Sequence, residues 1–145
     1  MAGRRVVVVG AGDVVRRRLP KLIESGADLT VIAPIAAPSI VELAARGELT
    51  WMARPYQPGD LDGAWYVLVA SDDAACNQAV SAEADGERIF CVRADAATEA
   101  SAWTPATGVV DGVTVGVLAG GDPRRAIQIR DALVATLSKL AHRAA

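Results

Sequence analysis

Short apolar runs alternate along the chain with segments whose apolar residues recur at helical spacing. The runs are rich in β-branched and aromatic residues and predict five strands at 6–9, 29–33, 49–53, 65–70 and 89–93. The segments between them predict helices at 14–24, 39–46 and 73–85. Strands that alternate with helices form right-handed βαβ units, so the pattern predicts a parallel sheet.

The turn after the first predicted strand carries Gly10 and Gly12, where a helix should begin. Gly10 would permit a tight turn, Gly12 would let the backbone approach a pyrophosphate, and the first helical N–H groups would face the phosphate charge. Val15 stands at the third position of this fingerprint, where glycine or alanine normally lets helix and strand pack closely. A plain β-α turn also explains two glycines. With the βαβ pattern, however, the turn predicts an α/β, Rossmann-like, doubly wound sheet that binds NAD.

The second predicted strand lacks the acidic residue that usually holds the ribose hydroxyls about 20 residues beyond the glycines. Ala33 and Pro34 stand at that place. Either backbone groups near Pro34 and Ile35 hold the ribose, or no dinucleotide binds. No arginine follows the strand to pair with a 2′-phosphate, so NAD is favoured over NADP.

Polar residues follow the fourth and fifth predicted strands. Ser71, Asp72 and Asp73 are residue types that cap helices, and this position also flanks the crevice in which a cofactor would lie. Asp95 follows the fifth strand at the same carboxyl edge of the sheet. It is either a turn-forming side chain or a catalytic carboxylate, acting as a general base or orienting the substrate.

The pattern changes beyond residue 100. Two strand-like runs, 103–110 and 113–118, are joined by Asp111-Gly112, a pair that favours a type I′ hairpin turn. Asp122 and Pro123 then predict the N-cap and first residue of a helix. One face of this helix is apolar, with Ala126, Ile129, Leu133, Leu137 and Leu140. We therefore divide the chain into an NAD-binding region, 1–100, and a hairpin plus helix for dimerisation, 101–145.

The composition excludes several classes of protein. A net charge of −2 gives no electrostatic case for nucleic acid, and 52% hydrophobic residues exclude disorder. No apolar run approaches the roughly 20 residues that span a bilayer, so we expect a cytoplasmic protein without a membrane segment. Cys76 and Cys91 form no CxxC motif, and His142 is the single histidine, so we expect reduced core thiols and no metal site.

Five motifs, in this order and spacing, closely resemble the N-terminal family of siroheme synthases. Any one of them would be a weak signal alone, and together they extend over most of the chain. They are Gly10-Ala-Gly-Asp-Val with Arg17-Arg18, Gly26-Ala-x-Leu-Thr-Val, Ala70-Ser-Asp-Asp with Asn77, Phe90-Cys-x-x-x-Asp95, and Ser101-x-x-x-Pro105.

The resemblance implies an NAD-dependent oxidation of precorrin-2 to sirohydrochlorin. In some members of the family the insertion of ferrous iron follows, with Fe²⁺ as a second substrate. The resemblance also implies a homodimer formed through the hairpin region. It makes Asp95 the residue most closely tied to the chemistry. The residues implied to contact NAD are Asp13, Val14, Pro34, Ile35 and the segment from Ala70 through Ser71 and Asp72 to Asp73.

Some positions depart from the family pattern. The usual Gly-Gly-x-Ser-Pro has become Gly120-Gly-Asp-Pro, which puts substrate contacts near that turn in doubt. Precorrin-2 carries many carboxylates, and Arg93, Arg124 and Arg125 are candidates to bind them or are ordinary surface arginines. An alternative function is an NAD(H)-sensing regulatory module without turnover. Such modules usually keep the ribose-binding acid, and Ala33 argues against one.

Overall fold

The computed structural model describes residues 1–144, with the side chains of residues 97 and 142–144 excepted, so the side chain of His142 lies outside the described part. The elements are β1 (Arg5–Val9), α1 (Asp13–Glu24), β2 (Asp28–Ile32), α2 (Pro38–Ala45), β3 (Thr50–Met52), β4 (Tyr66–Val69), α3 (Ala74–Gly86), β5 (Phe90–Arg93), a 3₁₀ turn (Ala97–Glu99), β6 (Ala106–Val110), β7 (Val113–Val117) and α4 (Pro123–Ala144). Each predicted strand and helix is present. The chain forms two compact units, one from Met1 to Ala102 and one from Trp103 onward.

The first unit is built on a five-stranded parallel sheet with the order β3-β2-β1-β4-β5. The chain leaves β1 toward β2 on one side and returns to β4 on the other, so the strand order reverses between β1 and β4. In open α/β sheets this reversal opens a crevice at the carboxyl ends of the two central strands. The predicted α/β, Rossmann-like fold is confirmed.

The valine run of β1 is buried because the sheet is covered on both faces. Alternate residues point to opposite faces, so Val6 and Val8 join one core cluster and Val7 and Val9 join the other. Val15, on α1, is completely buried in the first cluster. The bulkier fingerprint residue therefore lies inside the core and not in the cofactor crevice.

The second unit consists of the β6–β7 hairpin and α4. The two strands are antiparallel, and Asp111 and Gly112 have φ angles of 47° and 79°, as a type I′ turn requires. Asp122 accepts hydrogen bonds from the N–H groups of Arg124 and Arg125, both at 3.0 Å, so the predicted cap of α4 is confirmed. Among residues 1–144, no helix has the length and apolarity to span a membrane.

Candidate active site

The loop after β1 approaches the end of β4 so closely that only glycine fits at its first position. Gly10 has a φ of +104°, and a Cβ at this position would lie 2.3 Å from the carbonyl oxygen of Ala70. Its N–H donates to the carbonyl of Ile32 at 2.9 Å, which fixes the loop to β2 as well. Gly10 thus holds the turn at the centre of the carboxyl edge.

Gly12 leaves the start of α1 open. It is the N-cap residue, and with no side chain it makes no capping hydrogen bond to the first N–H groups of the helix. Apart from the adjoining backbone, no atom of the described residues lies within 4 Å of the position that its Cβ would occupy. Asp13 is exposed and pairs with Arg16 at 3.2 Å, and Val14 is half-buried. An uncapped helix N-terminus with open space above it fits a pyrophosphate.

The loop after β2 presents backbone and apolar surface. Pro34 and Ile35 are exposed, Ile35 to 85% of its surface. The loop is tied to the glycine turn because the N–H of Ala37 donates to the carbonyl of Ala11 at 3.2 Å. The carbonyl of Ala33 accepts a hydrogen bond from the Trp51 indole at 3.0 Å. A ribose at this edge would therefore meet main-chain groups and no carboxylate at the β2 terminus.

The loop after β4 lies beside the glycine turn. The N–H of Ala70 donates to the carbonyl of Val9 at 2.8 Å, and Asp72 is exposed. Asp73 is the N-cap of α3, and its carboxylate accepts from the N–H groups of Ala75 and Cys76. The cap predicted for this helix is therefore confirmed, and Ser71 is left to make other contacts.

Asn77, which is buried, connects the β4 loop to Asp95. Its amide oxygen accepts from the Ser71 hydroxyl at 2.6 Å, and its amide nitrogen donates to the Ser71 carbonyl at 2.9 Å and to Oδ2 of Asp95 at 3.0 Å. The amide group thus bridges the segment predicted to contact NAD and the carboxylate predicted to act in catalysis. The sequence motif contains Asn77 but gives no indication of this role.

Arg93, the last residue of β5, holds the other side of Asp95. Its Nε donates to Oδ1 at 3.0 Å and its Nη2 to Oδ2 at 2.6 Å, which is the bidentate geometry of strong arginine–carboxylate pairs. Its Nη1 donates to Gln78 at 3.0 Å and to Glu99 at 2.6 Å. The Arg93 side chain is only 4% exposed. Its suggested role in binding substrate carboxylates is therefore wrong, because its guanidinium is enclosed and already paired.

These contacts set the ionisation of Asp95. The hydrogen bonds from Arg93, aided by the one from Asn77, lower the pKa of Asp95 from 3.8 to about 2, although partial burial opposes the shift. The carboxylate is thus fully ionised at neutral pH. A pKa so far below neutrality makes it a weak proton acceptor, because efficient general bases have pKa values near the working pH.

The pairing of Asp95 predicts a loss of stability in acid. A carboxyl whose folded pKa is lowered stabilises the protein above its unfolded pKa, and this stabilisation is lost as the pH falls from about 4 toward 2. The side chain is 34% exposed, so we expect about 1 kcal/mol after solvent screening. Urea unfolding at pH 6 and pH 2.5 should show the wild type losing about that much more stability than Asp95→Asn. Equal losses in the two proteins would contradict the ion pair.

The remaining chemical candidates make no hydrogen bond to Asp95. Arg124 and Arg125 are exposed in the first turn of α4. Cys76 and Cys91 are free thiols whose pKa values are raised by burial. Within the described residues, no three His, Cys, Asp or Glu side chains cluster as metal ligands would.

A family model described as "Putative NAD(P)-binding" matches residues 1–106. Siroheme synthase 3 of Aeromonas hydrophila is 35% identical over 133 residues, which are 91% of this chain and 28% of that protein. The siroheme synthase of Citrobacter koseri is 39% identical over 118 residues, 81% of this chain and 26% of that protein. The chain thus spans about a quarter of the length of these relatives. The predicted resemblance to siroheme synthases is confirmed.

The solved structure of a protein named "SirC, precorrin-2 dehydrogenase" has the same fold. It superposes with a TM-score of 0.84 over 97% of this chain and 72% of that chain, at 24% sequence identity. The similarity covers both the Rossmann-like sheet and the hairpin with its helix.

Proposed function

The chain belongs to the family of NAD(P)-binding domains whose model covers residues 1–106, and from that premise we propose that it oxidises precorrin-2 to sirohydrochlorin with NAD. The observation that carries this proposal is the position of Asp95. Its carboxylate is joined through Asn77 to the β4 loop, which lies beside the glycine turn at the crevice between β1 and β4. A nicotinamide dehydrogenase needs a binding turn and a fixed polar group at the same sheet edge.

We assign the cofactor contacts from the local geometry. The pyrophosphate would lie over Gly10 and Gly12, against the N–H groups of Asp13 and Val14. Backbone groups of Pro34 would face the ribose, and the exposed Ile35 side chain offers apolar surface for the adenine. Ala70, Ser71 and Asp72 would border the nicotinamide half.

NAD is the form we propose, because the β2 terminus offers a 2′-phosphate no basic side chain. The arginine after the neighbouring strand β3, Arg54, is already paired with Asp60 through two hydrogen bonds of 2.6 and 2.8 Å. That pairing lowers the pKa of Asp60 and occupies the guanidinium. Steady-state rates with NAD⁺ should therefore exceed those with NADP⁺.

The reaction removes one hydride and one proton from adjacent atoms of the reduced macrocycle. Bound NAD⁺, held at the glycine turn, would supply the hydride acceptor of this reaction. The departing hydride leaves positive charge on the macrocycle, and the ionised Asp95 would stabilise that charge. The proton then passes to water, which completes the new carbon–carbon double bond.

Turnover of purified protein with NAD⁺ and precorrin-2 tests the proposal. Formation of NADH together with the absorbance of sirohydrochlorin would support it. Binding of NAD⁺ without turnover would support the NAD(H)-sensing module instead. A parallel reaction of sirohydrochlorin with Fe²⁺ decides whether iron insertion, which we retain as an additional activity implied by the resemblance, also occurs.

We also propose that the protein is a homodimer formed through its second unit. Ile129, Leu133 and Leu140 recur along one face of α4 and are 39–54% exposed. On the hairpin, Val109 and Val113 are exposed to 67% and 53%. Burial of such apolar surface against a second copy would stabilise the hairpin, since small isolated hairpins are marginal in water.

Leu133→Glu should convert the dimer into a monomer, because a charge would have to be buried at the centre of the apolar stripe. Sedimentation velocity measures the change. Gln128→Glu is the matched control, since it adds the same charge about 140° away around the helix and should leave the dimer intact. A dimer that survives Leu133→Glu would exclude this face of α4 as the interface.

A cytoplasmic location fits the proposed cofactor and the two free thiols. Cys76 and Cys91 are not joined in a disulfide. Thiols persist in reducing compartments, where NAD is also available.

A further inference from the structure

We propose that Arg93 is a positioning residue that fixes the ionised Asp95 in one orientation beside the cofactor loop, so that Asp95 acts on the substrate by its charge and not as a proton acceptor. This inference rests on the proposed dehydrogenase function and specifies the role of its carboxylate. The two residues have different roles. Asp95 would face the macrocycle, and Arg93 would act only through Asp95.

The hydrogen bonds of Arg93 indicate that it positions Asp95 and does not bind substrate. Four of its five N–H groups are used within the protein, two by Asp95 and one each by Gln78 and Glu99. The side chain is buried, while the Asp95 side chain is one-third exposed. The buried cation therefore orients a carboxylate that is itself partly exposed.

The groups around Asp95 come from three elements. Arg93 is on β5, Asn77 is on α3, and Glu99 in the 3₁₀ turn shares the Arg93 guanidinium. The Cys91 thiol on β5 is also close enough for an electrostatic interaction. Arg93 and Asn77 together donate three hydrogen bonds to the Asp95 carboxylate, and Glu99 shares the Arg93 guanidinium. Arg93 therefore provides the positive charge that holds the Asp95 carboxylate in place.

This arrangement suits electrostatic stabilisation and opposes proton abstraction. A prepositioned anion costs no reorganisation when positive charge develops on the substrate during hydride departure. As a base, by contrast, a carboxylate held by two hydrogen bonds from arginine would have to give up part of that pairing as it gained a proton. The proton of the reaction therefore goes to water and not to Asp95.

The two roles predict opposite results for Arg93→Gln. Without the guanidinium, the pKa of Asp95 should rise by at least one unit, as measured by ¹³C NMR titration of its carboxyl carbon in the cofactor-free protein. A general base would become stronger and kcat would hold or increase. Under our proposal Asp95 stays ionised at pH 7.5 but loses its fixed position, so kcat should fall by about 10- to 100-fold, with the KM for NAD⁺ changed less than about twofold.

Two further variants separate positioning from folding. Arg93→Lys keeps the charge but loses the planar fork, so its kcat should lie between those of the wild type and Arg93→Gln. If Arg93→Gln does not fold by circular dichroism, this lysine variant carries the same test. Arg54→Gln breaks the other bidentate pair, with Asp60, and should lower stability without changing kcat.

The measurements distinguish a failure of the inference about Arg93 from a failure of the proposed function. An Asp95 titration midpoint that does not move in Arg93→Gln would refute the role of Arg93. A kcat that holds or rises while the midpoint increases would refute positioning by Arg93 as a requirement for turnover. Absence of turnover by the wild-type protein would refute the proposed function itself, and the titration would still report on the ion pair.

Discussion

Asp95→Asn should lower kcat by about 10²- to 10³-fold while the affinity for NAD⁺ stays within about twofold of the wild type. The substitution keeps the size of the side chain but removes the charge held by Arg93 and Asn77. Because Asp95 lies after β5 and not in the glycine turn, the binding of the cofactor should not depend on it. Stopped-flow or steady-state formation of NADH measures the rate, and calorimetry measures the affinity.

The matched control is Asp62→Asn, an exposed aspartate in the loop before β4. It removes the same charge from the same unit and should leave kcat unchanged. Full activity in Asp95→Asn would remove Asp95 from the mechanism. Equal losses in both variants would instead indicate a general effect of negative charge on the cationic nicotinamide ring of the cofactor.

Gly12→Ala should weaken NAD binding by at least about tenfold without unfolding the protein. The φ angle of Gly12 is −88°, which alanine adopts freely, and apart from the adjoining backbone no atom of the described residues lies within 4 Å of the added Cβ. The methyl group would therefore occupy only the space proposed for the pyrophosphate. Its cost to helix capping is less than about 1 kcal/mol. Calorimetric titration with NAD⁺ and thermal unfolding measure the two effects.

Alanine variants of two other glycines serve as comparisons for Gly12→Ala. Gly86→Ala adds a methyl group in open space at the end of α3 and should leave both NAD affinity and stability near the wild-type values. Gly10→Ala should prevent folding or lower stability strongly, since its Cβ would overlap the Ala70 carbonyl and its backbone is left-handed. Wild-type NAD affinity in a folded Gly12→Ala protein would refute a pyrophosphate site at this turn.

The sheet and its turns could be predicted from the sequence because their causes are local. Val6 to Val9 form a continuous apolar run because both faces of the sheet are covered, and Gly10 is dictated by a left-handed φ. Asp73 and Asp122 cap the helices that follow them, as their residue types indicate. Each of these signals depends on a few neighbouring residues.

The cluster around Asp95 could be predicted only in part, because it joins residues from separate elements. From the sequence, Arg93 is a candidate surface cation. Its spacing from Asp95 does indicate their pair, because residues two apart at the end of a strand lie on the same side. The link from Asn77 to Ser71 and Asp95 depends on how α3 packs on β4 and β5. That Arg93 has few N–H groups left for a ligand becomes known only when the four hydrogen bonds that it donates are located.

The order of the strands has a consequence for how the protein matures. The β1 turn and the β4 loop meet at the hydrogen bond between Val9 and Ala70, although β2, α2 and β3 separate them along the chain. A nascent polypeptide that has completed only the first βαβ unit would therefore have the glycine motif and no competent crevice. Nucleotide capture should arise late, when β4 inserts beside β1, and it should then stabilise the assembled sheet by mass action.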